Sequence, residues 1–197
     1  MLRIGGLISG GGRTAVNLAE RLRSDAIDAS IEIVIAHRAD VPGVARCRAA
    51  GLHVAITDGP GSVADQLDAL LQAHRVELVC LCGYLRKFRV APLWSGRTIN
   101  IHPALLPDFG GPGMYGDRVH AAVLRAGVSE SGCTVHSVDE DYDCGQILLQ
   151  RRCPVVPGDS SASLAARVFA EECRALPEVV ARIASGVISF PMQQVSA

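Results

Sequence analysis

The chain begins with a short strand that stops on three glycines and restarts as a helix, and few folds accommodate that beginning. Leu2 to Ile8 is an apolar run, Ser9-Gly10-Gly11-Gly12 halts it, and apolar residues recur at helical spacing from Thr14 to Arg23. The alternation continues. Ile31 to Ala36 is β-branched and nearly continuous, like a strand covered on both faces, and Val41 to Ala50 reads as a helix with Gly51 behind it. A weaker strand over His53 to Ile56, a helix over Ser62 to Ala73 and a strand over Glu77 to Cys82 complete three repeats, which implies a parallel sheet.

A short helix over Val90 to Ser95 leads into a strand over Arg97 to His102, which Pro103 ends because proline cannot donate to the ladder. Pro103 to Gly116 is rich in Pro and Gly and reads as a long ordered loop, a kind that is often functional. A helix over Asp117 to Ala126, strands over Cys133 to Val138 and Ile147 to Pro154, and a helix over Ser160 to Ser185 follow. The expected class is α/β: a Rossmann-like open, mostly parallel twisted sheet with helices on both faces and an antiparallel strand near the C-terminal part.

Composition narrows the partners. Lys+Arg 19 against Asp+Glu 20 gives a net charge of −1 with no basic cluster, so nucleic acid is not an expected partner. Seven cysteines without a C-x-x-C pair fit neither a disulfide framework nor a zinc ribbon. The N-terminal apolar run is too short for a signal peptide, and no segment approaches the ~20 apolar residues of a membrane span. The expectation is one cytoplasmic domain over residues 1–197, monomer or homodimer, with no membrane and no metal.

Three places carry the chemistry. Gly10-Gly11-Gly12-Arg13-Thr14, between strand and helix, offers bare N–H groups and a helix dipole to a phosphate. With Ala15 it also satisfies the G-x-G-x-x-A dinucleotide pattern. The second strand, however, ends Ala36-His37-Arg38 without an acid for a ribose 2′-OH, which leaves only an NADP reader using Arg38. Asn100 and His102, two apart on a strand, face the same side, one able to donate to an oxyanion and the other to move protons. The acidic turn Asp139-Glu140-Asp141-Tyr142-Asp143 resembles the start of an EF-hand, but Cys144 and Gln150 break that pattern; one of its acids can sit by His102 and hold it in its protonated form, and spacing does not say which. His136, Glu172 and Arg86 gain weight only from their surroundings.

In this order the residues resemble the folate-dependent phosphoribosylglycinamide formyltransferase family, through LISGGGRT, INIHPALLPDFGGPGMYGDRVHAAVL, and GCTVHSVDEDYDCGQILLQ followed by PVVPGDS. The resemblance implies a formyltransferase fold and transfer of formyl from 10-formyltetrahydrofolate, as co-substrate, to glycinamide ribonucleotide. It implies that Asn100, His102 and Asp143 are catalytic, which selects among the acids. It further implies that Gly10 to Thr14 hold the ribonucleotide phosphate and that Glu172 lies near the substrate amine. The folate pterin is expected against Leu85, Arg86, Lys87 and Phe88 and the loop backbone of Asp139, Glu140 and Asp141, with His136 in support. Residues 1–100 would bind the phosphate and residues 80–150 the folate. Gly11 and Arg13 depart from the Asn and Ser of better-known members, and Cys144 from their Gly. Related deformylases and methionyl-tRNA formyltransferases carry a further domain, for which 197 residues are not expected to leave room.

Overall fold

The elements, in order, are β1 (Leu2–Ile8), α1 (Arg13–Ser24), β2 (Ala29–Ala36), α2 (Pro42–Ala49), β3 (Val54–Ile56), α3 (Val63–Ala73), β4 (Leu78–Leu81), β5 (Thr98–His102), α4 (Asp117–Ala126), β6 (Glu130–Ser137), β7 (Ile147–Pro154) and α5 (Ser161–Ala184). They are taken from a computed structural model that describes residues 1–90 and 92–192. The strands form one sheet in the order β3-β2-β1-β4-β5-β6-β7. The first five are parallel, and β6 alone runs against its neighbours β5 and β7.

Side-chain alternation divides the sheet between two cores. Ile4 and Ile8, Val34 and Ala36, Leu78 and Cys80, and Ile99 and Ile101 point to one face, where α1, α2, α4 and α5 pack. Leu7, Ile33, Ile35, Val79 and Leu81 point to the other, against Leu67 and Leu71 of α3 and a segment carrying Tyr84, Phe88 and Trp94. Each fully buried Leu or Ile of this kind contributes roughly 1.5–3 kcal/mol relative to exposure. The second cluster contains no residue of β5, β6 or β7, so its face of those strands is left for something other than apolar packing.

The expected order of elements is observed with one exception. Residues 92–96 form turns where a short helix was expected over Val90 to Ser95, Ala91 lying outside the described residues. Trp94 N–H donates to the Val90 carbonyl at 2.8 Å, but Gly96 then turns left-handed (φ 66°) and Trp94 Nε1 is tied to Asp68 at 2.8 Å, so one turn forms and stops. No helix of the described residues is long and apolar enough to cross a membrane.

Candidate active site

The antiparallel register of β5 and β6 sets Asn100 opposite His136 and His102 opposite Thr134. All four side chains share the face that the second apolar cluster leaves uncovered, because Ile99, Ile101, Cys133 and Val135 take the opposite one. Asn100 Nδ2 lies 3.1 Å from His136 Nε2, and His136 Nδ1 donates to the Ser137 carbonyl at 2.8 Å. In the neutral ring that leaves Nε2 to accept the Asn100 amide, which fixes the amide's direction. Thr134 is structural: its hydroxyl donates to the Ala104 carbonyl at 2.7 Å and accepts from Leu106 N–H at 3.0 Å, which anchors the Pro/Gly loop where it leaves His102.

Asp143 arrives from the loop between β6 and β7, in a left-handed conformation (φ 58°) uncommon outside glycine. Gly145 makes that turn feasible, since any Cβ there would collide with the Ser137 carbonyl. Asp143 Oδ2 accepts from Gly111 N–H at 2.9 Å and lies 3.5 Å from His102 Nδ1. Oδ1 lies 3.5 Å from His136 Nε2 and 3.4 Å from Asn100 Nδ2. These last three are contacts too long for strong hydrogen bonds, so the carboxylate spans the group while only Gly111 holds it closely.

Burial pushes the Asp143 carboxyl up, but His136, the imidazole of His102 and the Gly111 N–H together outweigh it and hold the pKa below the ordinary carboxylate value. His102, 3% exposed, shows the opposite balance. Burial lowers its pKa, and neither Asp143 nor the Phe109 carbonyl, to which Nε2 donates at 2.8 Å, restores it. The expectation that an acid holds His102 protonated is therefore corrected: desolvating the ring costs more than a carboxylate at 3.5 Å returns, and the resting imidazole is neutral.

Asn100, His102, His136 and Asp143 line a cavity of about 620 Å³ whose walls also take in the C-terminal end of β4 and residues of α1 and α5. Gly10, Arg13 and Thr14 line it, as do Leu85, Arg86, Lys87, Phe88, Asp139, Glu140 and Asp141. Gly11 and Gly12 do not. Gly12 (φ 68°) packs on α2, where a Cβ would stand 2.9 Å from Gly43 Cα, and the Gly10 and Gly11 carbonyls turn to α2 to accept from Gly43 N–H and Arg46. The cap residue Gly12 has no side chain to bond the first N–H groups of α1, so those donors are left without a capping acceptor. Ser9 stitches this turn to the loop after β4: its N–H donates to the Gly83 carbonyl at 3.0 Å and its hydroxyl accepts from Leu85 N–H at 2.9 Å.

Glu172 lines the same cavity from α5, with Ala165 and Phe169 on the same helical face. Burial raises its pKa to about 7, against the opposing charge of Arg13. Sequence reasoning did not single out Phe169, His120 or Thr134. Pro/Gly punctuation pointed to the loop before α4, but no local pattern marks a ring on α5 or a hydroxyl on β6. Arg38, the residue on which an NADP reading depends, does not line the cavity; it is paired with Asp40 through bonds of 2.9 and 3.1 Å.

Fold and site together define an open-sheet α/β protein with acid–base groups gathered on and beside the parallel strands. Comparison narrows the class to one family: the formyl transferase model matches residues 2–180, and the chain belongs to that family. Among curated relatives, the trifunctional purine biosynthetic protein adenosine-3 of Drosophila pseudoobscura pseudoobscura is 40% identical over 195 residues, which cover 94% of this chain and 14% of that protein. The chloroplastic phosphoribosylglycinamide formyltransferase of Arabidopsis thaliana is 35% identical over 184 residues, 89% of this chain and 63% of that one. The chain thus spans less than two thirds of either relative. A solved glycinamide ribonucleotide transformylase 1 from Symbiobacterium toebii superposes with a TM-score of 0.86 at 36% identity, covering 100% of this chain and 95% of that one.

Proposed function

We propose that the protein transfers the formyl group of 10-formyltetrahydrofolate to the amine of glycinamide ribonucleotide, giving formylglycinamide ribonucleotide in de novo purine synthesis in the cytoplasm. The observation that carries this reading is the convergence of Asn100, His102 and Asp143 in one cavity with the donor-rich glycine turn. The names of the relatives agree with it. In this assignment residues 1–197 act as a single domain: Gly10, Arg13 and Thr14 hold the phosphate, Glu172 lies by the amine, and Leu85 to Phe88 with Asp139 to Asp141 receive the pterin. The exposed apolar surfaces of Leu85 (54% exposed) and Tyr142 (45% exposed) suit an aromatic ring system.

In the reaction the amine nitrogen bonds to the formyl carbon, the bond to the folate nitrogen breaks, and one proton passes from the first nitrogen to the second. Asn100, directed by His136, donates to the oxyanion that develops. His102 accepts the amine's proton, directly or through a water. As imidazolium it keeps the Phe109 carbonyl on Nε2 and gains the Asp143 carboxylate at Nδ1, so the two groups that fail to charge the resting ring stabilise it once charged. It then returns the proton to the departing nitrogen.

The test is a formyl-transfer assay with both substrates beside a control without the amine. Formylated ribonucleotide with little release of formate is expected. Formate release at the same rate without the amine would instead make the protein a deformylase.

A further inference from the structure

Arg13 and Phe169 meet across the cavity mouth in a contact that neither the fold nor the assigned chemistry requires. The Arg13 guanidinium carbon lies 3.8 Å from the centre of the Phe169 ring. The arginines of α5 have carboxylate partners: Arg167 pairs with Asp159, Arg174 with Glu171 and Arg182 with Glu178. On α1, Arg21 pairs with Asp25. Arg13 has an aromatic face instead, and among the described residues it forms no ion pair. Phe169, for its part, packs in neither apolar cluster, although Leu164, Val168 and Leu176 of the same helix do. Both side chains line the cavity between the glycine turn and Glu172.

Stacking occupies the face of a guanidinium and leaves the N–H edges free. An unrestrained arginine at an exposed helix start samples many rotamers, and fixing one on ligand binding costs affinity. We propose that Phe169 is a positioning residue: its ring holds Arg13 beside the glycine turn, so that the guanidinium edge and the backbone N–H groups together grip the phosphate of the acceptor. The inference rests on the ribonucleotide reading above, and it assigns this chain's affinity for a phosphorylated acceptor to a pair of side chains on two helices.

Calorimetric titration with ribose 5-phosphate, run beside formyl-transfer kinetics, tests it. Phe169→Leu conserves apolar bulk and removes the π-face. It should raise the ribose 5-phosphate Kd and the ribonucleotide KM roughly three- to tenfold, with the folate KM unmoved. Phe169→Tyr should restore both. Arg13→Ala should cost roughly ten- to hundredfold, and the double variant no more than Arg13→Ala alone, because the ring acts only through the guanidinium. Should Phe169→Leu fail to fold, Arg13→Lys, which keeps the charge and loses the flat stack, carries the same expectation. A wild-type Kd in Phe169→Leu, additive losses in the double variant, or no ribose 5-phosphate binding by the wild type would each overturn the proposal. If ribose 5-phosphate binding follows the expected pattern while no formyl is transferred, the clamp stands and the assigned reaction falls.

Discussion

Neutral at rest, the imidazole of His102 would, in the proposed reaction, accept a proton before it gives one back, and that order has a pH signature. Its pKa is lowered from 6.5, so kcat/KM should rise with pH along a limb below that value and level off toward neutrality; a rate that instead falls as pH rises through that limb would mean that the protonated ring is the working form. Asp143→Asn removes a charge that raises the His102 pKa, so the limb should move further to acid. Turnover in Asn100→Ala, His102→Ala or Asp143→Ala should fall by about 10²–10³, measured on protein whose circular dichroism is unchanged. Glu172 gives the opposite sign in stability. Its folded pKa of about 7 lies above the unfolded value of 4.5, so the native state binds the extra proton between them and loses stability as pH rises through that window. Glu172→Gln should therefore melt higher than wild type at pH 8.5, by on the order of 1–3 kcal/mol, and alike near pH 4.5, while losing affinity for the acceptor.

At the scale of elements, the loop between β6 and β7 is the critical joint, because it must bring Asp143 back over a β-sheet face. Gly145→Ala, whose Cβ meets the Ser137 carbonyl, should lower the denaturant midpoint by the equivalent of ~2 kcal/mol or more and weaken catalysis further by moving Asp143. Strands and helices were legible because apolar spacing follows burial. Leu2–Ile8, Asp117–Ala126 and Ile147–Pro154 lie where the pattern puts them. Where packing and propensity part, the sequence says less. β6 starts at Glu130, three residues ahead of the apolar pattern, because Glu130, Ser131 and Gly132 are poor strand formers held by pairing to β7 and by an Arg152–Glu130 bridge of 2.9 Å. Similarly, α5 runs through Pro177 because Leu176, Val179 and Val180 on either side are fully buried.

Across the whole molecule the site was legible in halves. Period-two alternation alone put Asn100 and His102 on one face, but the choice of Asp143 among its neighbours needed a resemblance, since a loop's path does not follow from composition. Contacts between distant helices, such as Phe169 with Arg13, leave no local pattern at all. The thiols report on the fold as a unit. Five of the seven cysteines are buried, and burial pushes Cys82 and Cys133 up to about 12, so a thiol reagent should modify the exposed Cys144 first and reach the buried five only at the rate of global unfolding. The long cavity has one last implication. The glycine turn and the acidic loop line it at once, together with His102, so in the proposed reaction donor and acceptor need not take turns in a shared berth. Initial-velocity plots should intersect in the manner of a ternary complex, with no formylated enzyme to be trapped between two half-reactions.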